Sequence, residues 1–180
     1  MSSVSVLTGE VIDGIPVEYG TLHGEKFYTI KVKFRTCEIK VLISEHTMLE
    51  EYGGVISVTG YLATFKVKEE NRKYEYVFVG TKIEQAELDS PLTNQISFNY
   101  KVTRVEKLDV NGYGVEVLTL YASFYTPFKT TSIVKLCAKS QAARVLNNRE
   151  PGFYISGQGY LKSYKDTYEI IITDISDTAE

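Results

Sequence analysis

Gly60-Tyr61-Leu62 recurs as Gly159-Tyr160-Leu161, 99 residues further along a chain of 180. Each tripeptide closes a run rich in β-branched and aromatic residues, 55–61 in the first case and 153–161 in the second. Tyr74-Glu75 recurs as Tyr168-Glu169, at an offset of 94, and each pair opens another such run. Gly24 precedes a strand-like segment and is answered by Gly112, at an offset of 88. The matches keep one order along the chain. Their unequal offsets put insertions and deletions in loops, where chains tolerate them. The chain therefore reads as two copies of one unit.

Working outward from these matches, the first copy has strand signals at residues 4–12, 27–34, 38–43, 55–61 and 74–83. Within 27–34, Ile30, Val32 and Phe34 alternate against Lys31 and Lys33, the period-two pattern of a strand with one buried face. Gly14, Gly20, Gly24 and Gly53-Gly54 punctuate the runs. Residues 45–52 form a short helical window between the third and fourth runs. In the second copy the strands fall at 96–105, 115–121, 133–137, 153–161 and 168–175, with a helical window at 140–147 and a turn at Gly112 and Gly114. A linker at 86–95 centres on Asp89-Ser90-Pro91. Five strands with a short helix between the third and fourth is the order of the OB-fold, a partly open barrel. Other small all-β barrels and sandwiches share this spacing and stand as the alternative. The expected class is all-β, two tandem five-stranded OB-fold barrels, with domains at 1–88 and 93–180.

The composition excludes several functions. Apolar residues make up 43% of the chain, enough for a real core, and no window reaches the roughly 18 to 20 apolar residues of a membrane span. The start, Met1-Ser2-Ser3-Val4-Ser5, lacks the charged segment of a secretory signal, so a cytoplasmic protein with reduced, buried Cys37 and Cys137 is expected. These cysteines, His23 and His46 lack zinc-site spacing, so no metal and no cofactor is expected. No nucleophile elbow, phosphate-binding loop or His-Glu-x-x-His motif is present, and Glu45-His46 has no nucleophile motif beside it, so a non-enzymatic role is expected. The net charge of -3 divides unevenly. Residues 1–90 carry 10 Lys+Arg against 14 Asp+Glu, and residues 91–180 carry 10 against 9. No basic block appears, which argues against a purely electrostatic duplex binder.

The aromatic residues are the stronger signal. There are 14 Tyr, 8 Phe and no Trp. Unpaired bases expose π-faces on which such rings stack, at about 1–3 kcal/mol each, while nearby Lys and Arg neutralise phosphates. OB-folds bind oligonucleotides on strands two and three and on the loops joining strands one to two and four to five. In the first copy those places hold Tyr19 near the first loop, and Phe65, Lys66, Lys68, Arg72, Lys73 and Tyr74 around the second. In the second copy they hold Tyr113, Tyr121, Phe124, Tyr125, Phe128 and Lys129, then Lys162, Tyr164, Lys165 and Tyr168. Phe27, Phe34, Phe78 and Phe153 sit among apolar neighbours and read as core. The densest stretch, Ser123-Phe124-Tyr125-Thr126-Pro127-Phe128-Lys129-Thr130, reads as exposed aromatics in the connection between strands two and three. A patch of that kind calls for a partner. A dimer contact or a flap over the barrel is its other reading.

Val6-Leu7-Thr8-Gly9-Glu10-Val11, Gly24-Glu25-Lys26-Phe27-Tyr28, Val41-Leu42-Ile43-Ser44-Glu45 and Val58-Thr59-Gly60-Tyr61-Leu62 carry a family likeness in the first copy. Tyr125-Thr126-Pro127-Phe128-Lys129, Ile133-Val134-Lys135-Leu136-Cys137 and Ile155-Ser156-Gly157-Gln158-Gly159-Tyr160-Leu161 carry it in the second. The sequence resembles the bacterial and phage single-stranded DNA-binding proteins, specifically the variants with two OB domains in one chain. The resemblance implies cooperative, sequence-tolerant binding of single-stranded DNA in replication, repair or recombination. It also implies a homodimer that brings four barrels together, with replication or recombination proteins as partners. The sequence departs from the family in lacking tryptophan, in having Ala138-Lys139 where a Trp-Gly is expected, and in ending Ser176-Asp177-Thr178-Ala179-Glu180 without an acidic, hydrophobic-tipped tail. Recruitment through a tail is therefore not expected, and the second copy is expected to make most of the DNA contact. A barrel that has kept the fold as an assembly module without nucleic acid is the alternative function.

Overall fold

The computed structural model describes residues 4–66, 74–164 and 167–179. The chain divides into two compact units, Val4–Gln95 and the residues from Ile96 onward. Each is a closed five-stranded barrel.

The first barrel is built from β1 (Ser5–Leu22), β2 (Glu25–Phe34), β3 (Cys37–Ser44), β4 (Val55–Lys66) and β5 (Tyr74–Gln85). Its ladder runs β1-β2-β3-β5-β4, and β4 returns to β1 from Ser5↔Gly60 to Glu10↔Val55. The β3–β5 pair is parallel and the others are antiparallel, which is the OB topology expected from the strand order. Phe34 and Phe78 meet edge to face at 5.9 Å inside the barrel. The alternation of Ile30, Val32 and Phe34 is matched by their burial.

The second barrel contains β6 (Ile96–Val105), β7 (Asp109–Val110), β8 (Glu116–Tyr125), β9 (Thr131–Lys139), α1 (Ser140–Asn147), β10 (Tyr154–Tyr164) and β11 (Thr167–Ala179). Its ladder runs β6-β10-β11-β9-β8, and a β6–β8 pairing closes it. Two-residue β7 lies against the start of β8. Phe98, Tyr100 and Phe124 stack in a column through this core, at centroid distances of 5.6 and 4.9 Å. Among the described residues no helix is long and apolar enough to cross a membrane.

The repeated tripeptide has a structural cause. Gly60 follows a register break between β4 and β5, and Gly159 follows one between β10 and β11. A Cβ on Gly60 would collide with the Val79 carbonyl oxygen, and one on Gly159 with that of Ile171. Glycine lets the bulged strand pass this close to its partner's backbone.

Two expectations differ from the structure. β1 does not stop near residue 12 but continues to Leu22, making the predicted loop a long hairpin with β2. Beyond Glu10 this strand has left β4, so Pro16 is tolerated in the register gap between Asp13 and Val17, where Gly14 also lets the chain pass close to Tyr52, whose carbonyl oxygen a Cβ would strike. The helical window of the first copy contracts to a single 3-10 turn at Glu45–Thr47, capped by Ser44 Oγ, which accepts from the His46 backbone N–H. Beyond that turn the Leu49 N–H donates to the Tyr52 hydroxyl rather than to a helical carbonyl. The second copy has the stronger helix formers Ala142 and Ala143 and buries Ala143 and Leu146 one turn apart, so α1 forms over Ser140–Asn147.

Candidate nucleic-acid interface

On β8 the side chains of Leu118, Leu120, Ala122 and Phe124 are buried, and on β9 so are those of Ser132, Val134, Leu136 and Ala138. The alternate residues therefore face outward. Register then assembles them into rows, because directly paired residues share a face of the sheet. One row crosses five strands. Lys162 on β10 pairs with Glu169 on β11, Glu169 lies 3.7 Å from Lys135 on β9, Lys135 pairs with Tyr121 on β8, and the guanidinium of Arg104 on β6 sits 4.1 Å over the Tyr121 ring. The neighbouring row is Tyr160, Ile171, Cys137 and Thr119, again joined by strand pairing.

Electrostatics describes the same face. The Cys137 thiol is pushed above its ordinary value mainly by burial, then by Glu169, while Lys139, Lys135 and Lys162 pull the other way. Three lysines and one carboxylate thus act on one point of the sheet. The Glu169 carboxylate holds Lys135 in place, and Arg104 is likewise held by Glu106 at 3.1 Å. The result is a surface that sets the rings of Tyr121 and Tyr160 beside Lys135, Lys162 and Arg104, with Ile171 and Cys137 buried between them, able to stack bases and to neutralise phosphates.

The expected site residues of the second copy fall into three groups. Tyr121, Lys162 and Tyr164 lie on the face or at its end, with Lys162 and Tyr164 exposed on β10 and Tyr121 half-buried. Tyr113 stands 93% exposed at the tip of the β7–β8 turn, which Asn111 shapes by accepting the N–H groups of Tyr113 and Val115. Tyr168 is half-buried at the start of β11, opposite Ser163. The 123–130 stretch is not a patch of three exposed rings. Phe124 points inward and stacks on Tyr100, because its position on β8 continues the inward alternation of Leu118, Leu120 and Ala122. Tyr125 is 61% exposed, Phe128 is half-buried and Lys129 is exposed. A tight turn joins β8 to β9 here, closed by the Thr126 N–H to the Thr130 carbonyl and by Lys129 at φ 59°. Lys165 lies outside the described residues.

In the first copy Tyr19 is on the β1 hairpin rather than in a loop. Its ring meets Phe65 at 6.2 Å, and its hydroxyl, bonded to Glu75, is pushed up to about 12 by burial first and that carboxylate second. Lys66 and Tyr74 are exposed and face each other across β4 and β5. Lys68, Arg72 and Lys73 lie outside the described residues. At places matching Cys137, Ile171 and Tyr160, the first barrel has Leu42, Val79 and Tyr61; Cys137 and Ile171 are buried like their counterparts, and only the tyrosine differs, buried in the first barrel and open in the second.

Sequence reasoning missed Arg104, Lys135, Lys139 and Tyr160 as members of the face. Lys135 and Lys139 did carry a signal, since they alternate with Val134, Leu136 and Ala138.

No family model matches the chain, and no curated protein sequence does. Among solved structures, the single-stranded DNA binding protein from Thermus aquaticus is similar over 100% of this chain and 94% of its own, at 16% identity and a TM-score of 0.79. A deletion mutant of that protein matches over 100% and 95%, at 17% identity and a TM-score of 0.80. The shared feature is the fold, two OB barrels in tandem in one chain.

Proposed function

We propose that this chain is a non-enzymatic single-stranded DNA-binding protein whose second barrel makes most of the contact. The observation that carries the proposal is the row Lys162, Glu169, Lys135, Tyr121 and Arg104, laid across five strands of one barrel. Tyr160 and Tyr164 supply open stacking surfaces, Arg104 lies on the Tyr121 ring as a cation beside them, and Lys135, Lys139 and Lys162 meet phosphates. Each stacked base is worth about 1–3 kcal/mol without reading sequence. The similarity in fold to the Thermus aquaticus single-stranded DNA binding protein supports this reading.

The chain coats single strands in replication, repair or recombination, in the cytoplasm, as two OB domains at 1–88 and 93–180. It works as a homodimer. Exposed Val6, Ile12, Ile15 and Val17 along β1 support an assembly role for the first barrel, since exposed apolar side chains favour a protein partner. Fluorescence anisotropy with labelled oligo-dT tests the DNA reading. Binding that weakens as salt rises is expected, and no binding at low salt overturns it.

A further inference from the structure

The geometry points to a second nucleotide subsite on the second barrel, in a groove over β10, β6 and β8 where Tyr125 and Tyr154 flank Lys101. This inference rests on the reading of the adjoining face as a single-strand interface. The groove encloses about 280 Å³ and is lined by Asn99, Lys101, Ser123, Tyr125, Thr131 and Tyr154. That is the scale of a nucleoside, not of a folded partner.

Register builds the groove as it builds the face. Tyr154 pairs with Lys101, Lys101 pairs with Ser123, and Ser123 pairs with Ile133. Lys101 therefore has Tyr154 directly beside it and Tyr125 diagonally across β8. Both rings are open, Tyr154 at 47% and Tyr125 at 61% exposure. Two aromatic faces about a cation are what a base and its phosphate require together.

Charge selects this groove over its neighbours. Among the described residues, the one over Ser97, Ser156 and Gln158 carries Asp174 and no cation, and the one between α1 and β11 carries Asp174 and Asp177 against the single cation Lys139. Carboxylates there repel phosphate. The groove at Lys101 has a cation and no carboxylate in its lining. It is also continuous with the face, since Ser123 lies two residues from Tyr121 on the same side of β8. A strand leaving Tyr121 crosses Ser123 and reaches Lys101.

The test measures anisotropy of the full chain with oligo-dT of about 4 and about 16 nucleotides, bracketing OB site sizes. The short strand fills the face alone, whereas the long one reaches the groove. Lys101→Ala and Tyr154→Ala are expected to weaken the long strand about ten-fold and to leave the short one unchanged, with Tyr154→Phe binding like the unmodified chain. Lys101→Ala also lowers the slope of log affinity against log salt by about 0.7, and Tyr154→Ala does not. Unchanged long-strand affinity in both alanine variants overturns the groove while the face stands. Equal losses at both lengths overturn it as a separate subsite. If the unmodified chain binds neither strand at low salt, the face and the groove fall together.

Discussion

Tyr61 and Tyr160 occupy the same place in the two barrels, one opposite Val79 and the other opposite Ile171, yet Tyr61 is 6% exposed and Tyr160 is 37% exposed. Both follow the glycine that admits the strand bulge. The repeat is thus faithful in backbone and unequal in surface. Each barrel also has a Lys–Glu ion pair between its third and fifth strands, Lys40–Glu75 at 2.9 Å and Lys135–Glu169 at 3.7 Å, although the register match of Glu169 is Val77, two residues from Glu75.

The two tyrosines should respond differently to truncation. Tyr160→Ala is expected to weaken oligo-dT binding about ten-fold and leave the urea midpoint nearly unchanged, because it removes a stacking surface and little core. Tyr61→Ala is expected to cost about 3 kcal/mol of stability, as a large buried ring leaves a cavity. Anisotropy and urea unfolding on the same two variants separate these effects.

The glycine of the tripeptide should tolerate no side chain. Gly60→Ala and Gly159→Ala each force a Cβ against a carbonyl oxygen of the neighbouring strand, with an expected cost of about 1–3 kcal/mol. Gly112 has open space around it, and Gly112→Ala is the control for a glycine without such a neighbour. Loss of stability in the control equal to that of the other two would count against the close-approach argument.

Phe124 and Tyr125 are adjacent and should separate stability from binding. Phe124→Ala removes the end of the stacked column and is expected to cost about 3–5 kcal/mol. Tyr125→Ala leaves the barrel's thermal midpoint close to that of the unmodified chain and lowers affinity for long oligo-dT. Calorimetry and anisotropy on the pair provide the check.

Alkaline pH should loosen the first barrel. Tyr19 and Tyr61 have ordinary values of 10.0 in the unfolded chain and are raised to about 12 in the fold, chiefly by burial. Below 10.0 both states hold the proton, and the folded state has its full stability. Between 10.0 and about 12 only the unfolded chain releases the proton, so stability falls as pH rises through that window. Tyr61→Phe should reduce the fall in urea midpoint between neutral pH and that window. An identical fall with and without Tyr61 would contradict this.

The sequence by itself determined the five barrel strands of each copy, though not the two-residue β7, along with their order in two copies, the helix at Ser140–Asn147 and the buried set that includes Phe34, Phe78 and Phe153. These are written in local periodicity, bulky β-branched runs and glycines at bulges, and each can be read within a few neighbours along the chain. Tertiary structure alone decided that Lys135 stands beside Tyr121, that Arg104 covers that ring, and that Phe124 turns inward while Tyr125 turns out. It also decided that one Gly-Tyr-Leu tyrosine is buried and the other open. Barrel closure sets the register between segments tens of residues apart, and a slip of one residue would send each side chain to the opposite face.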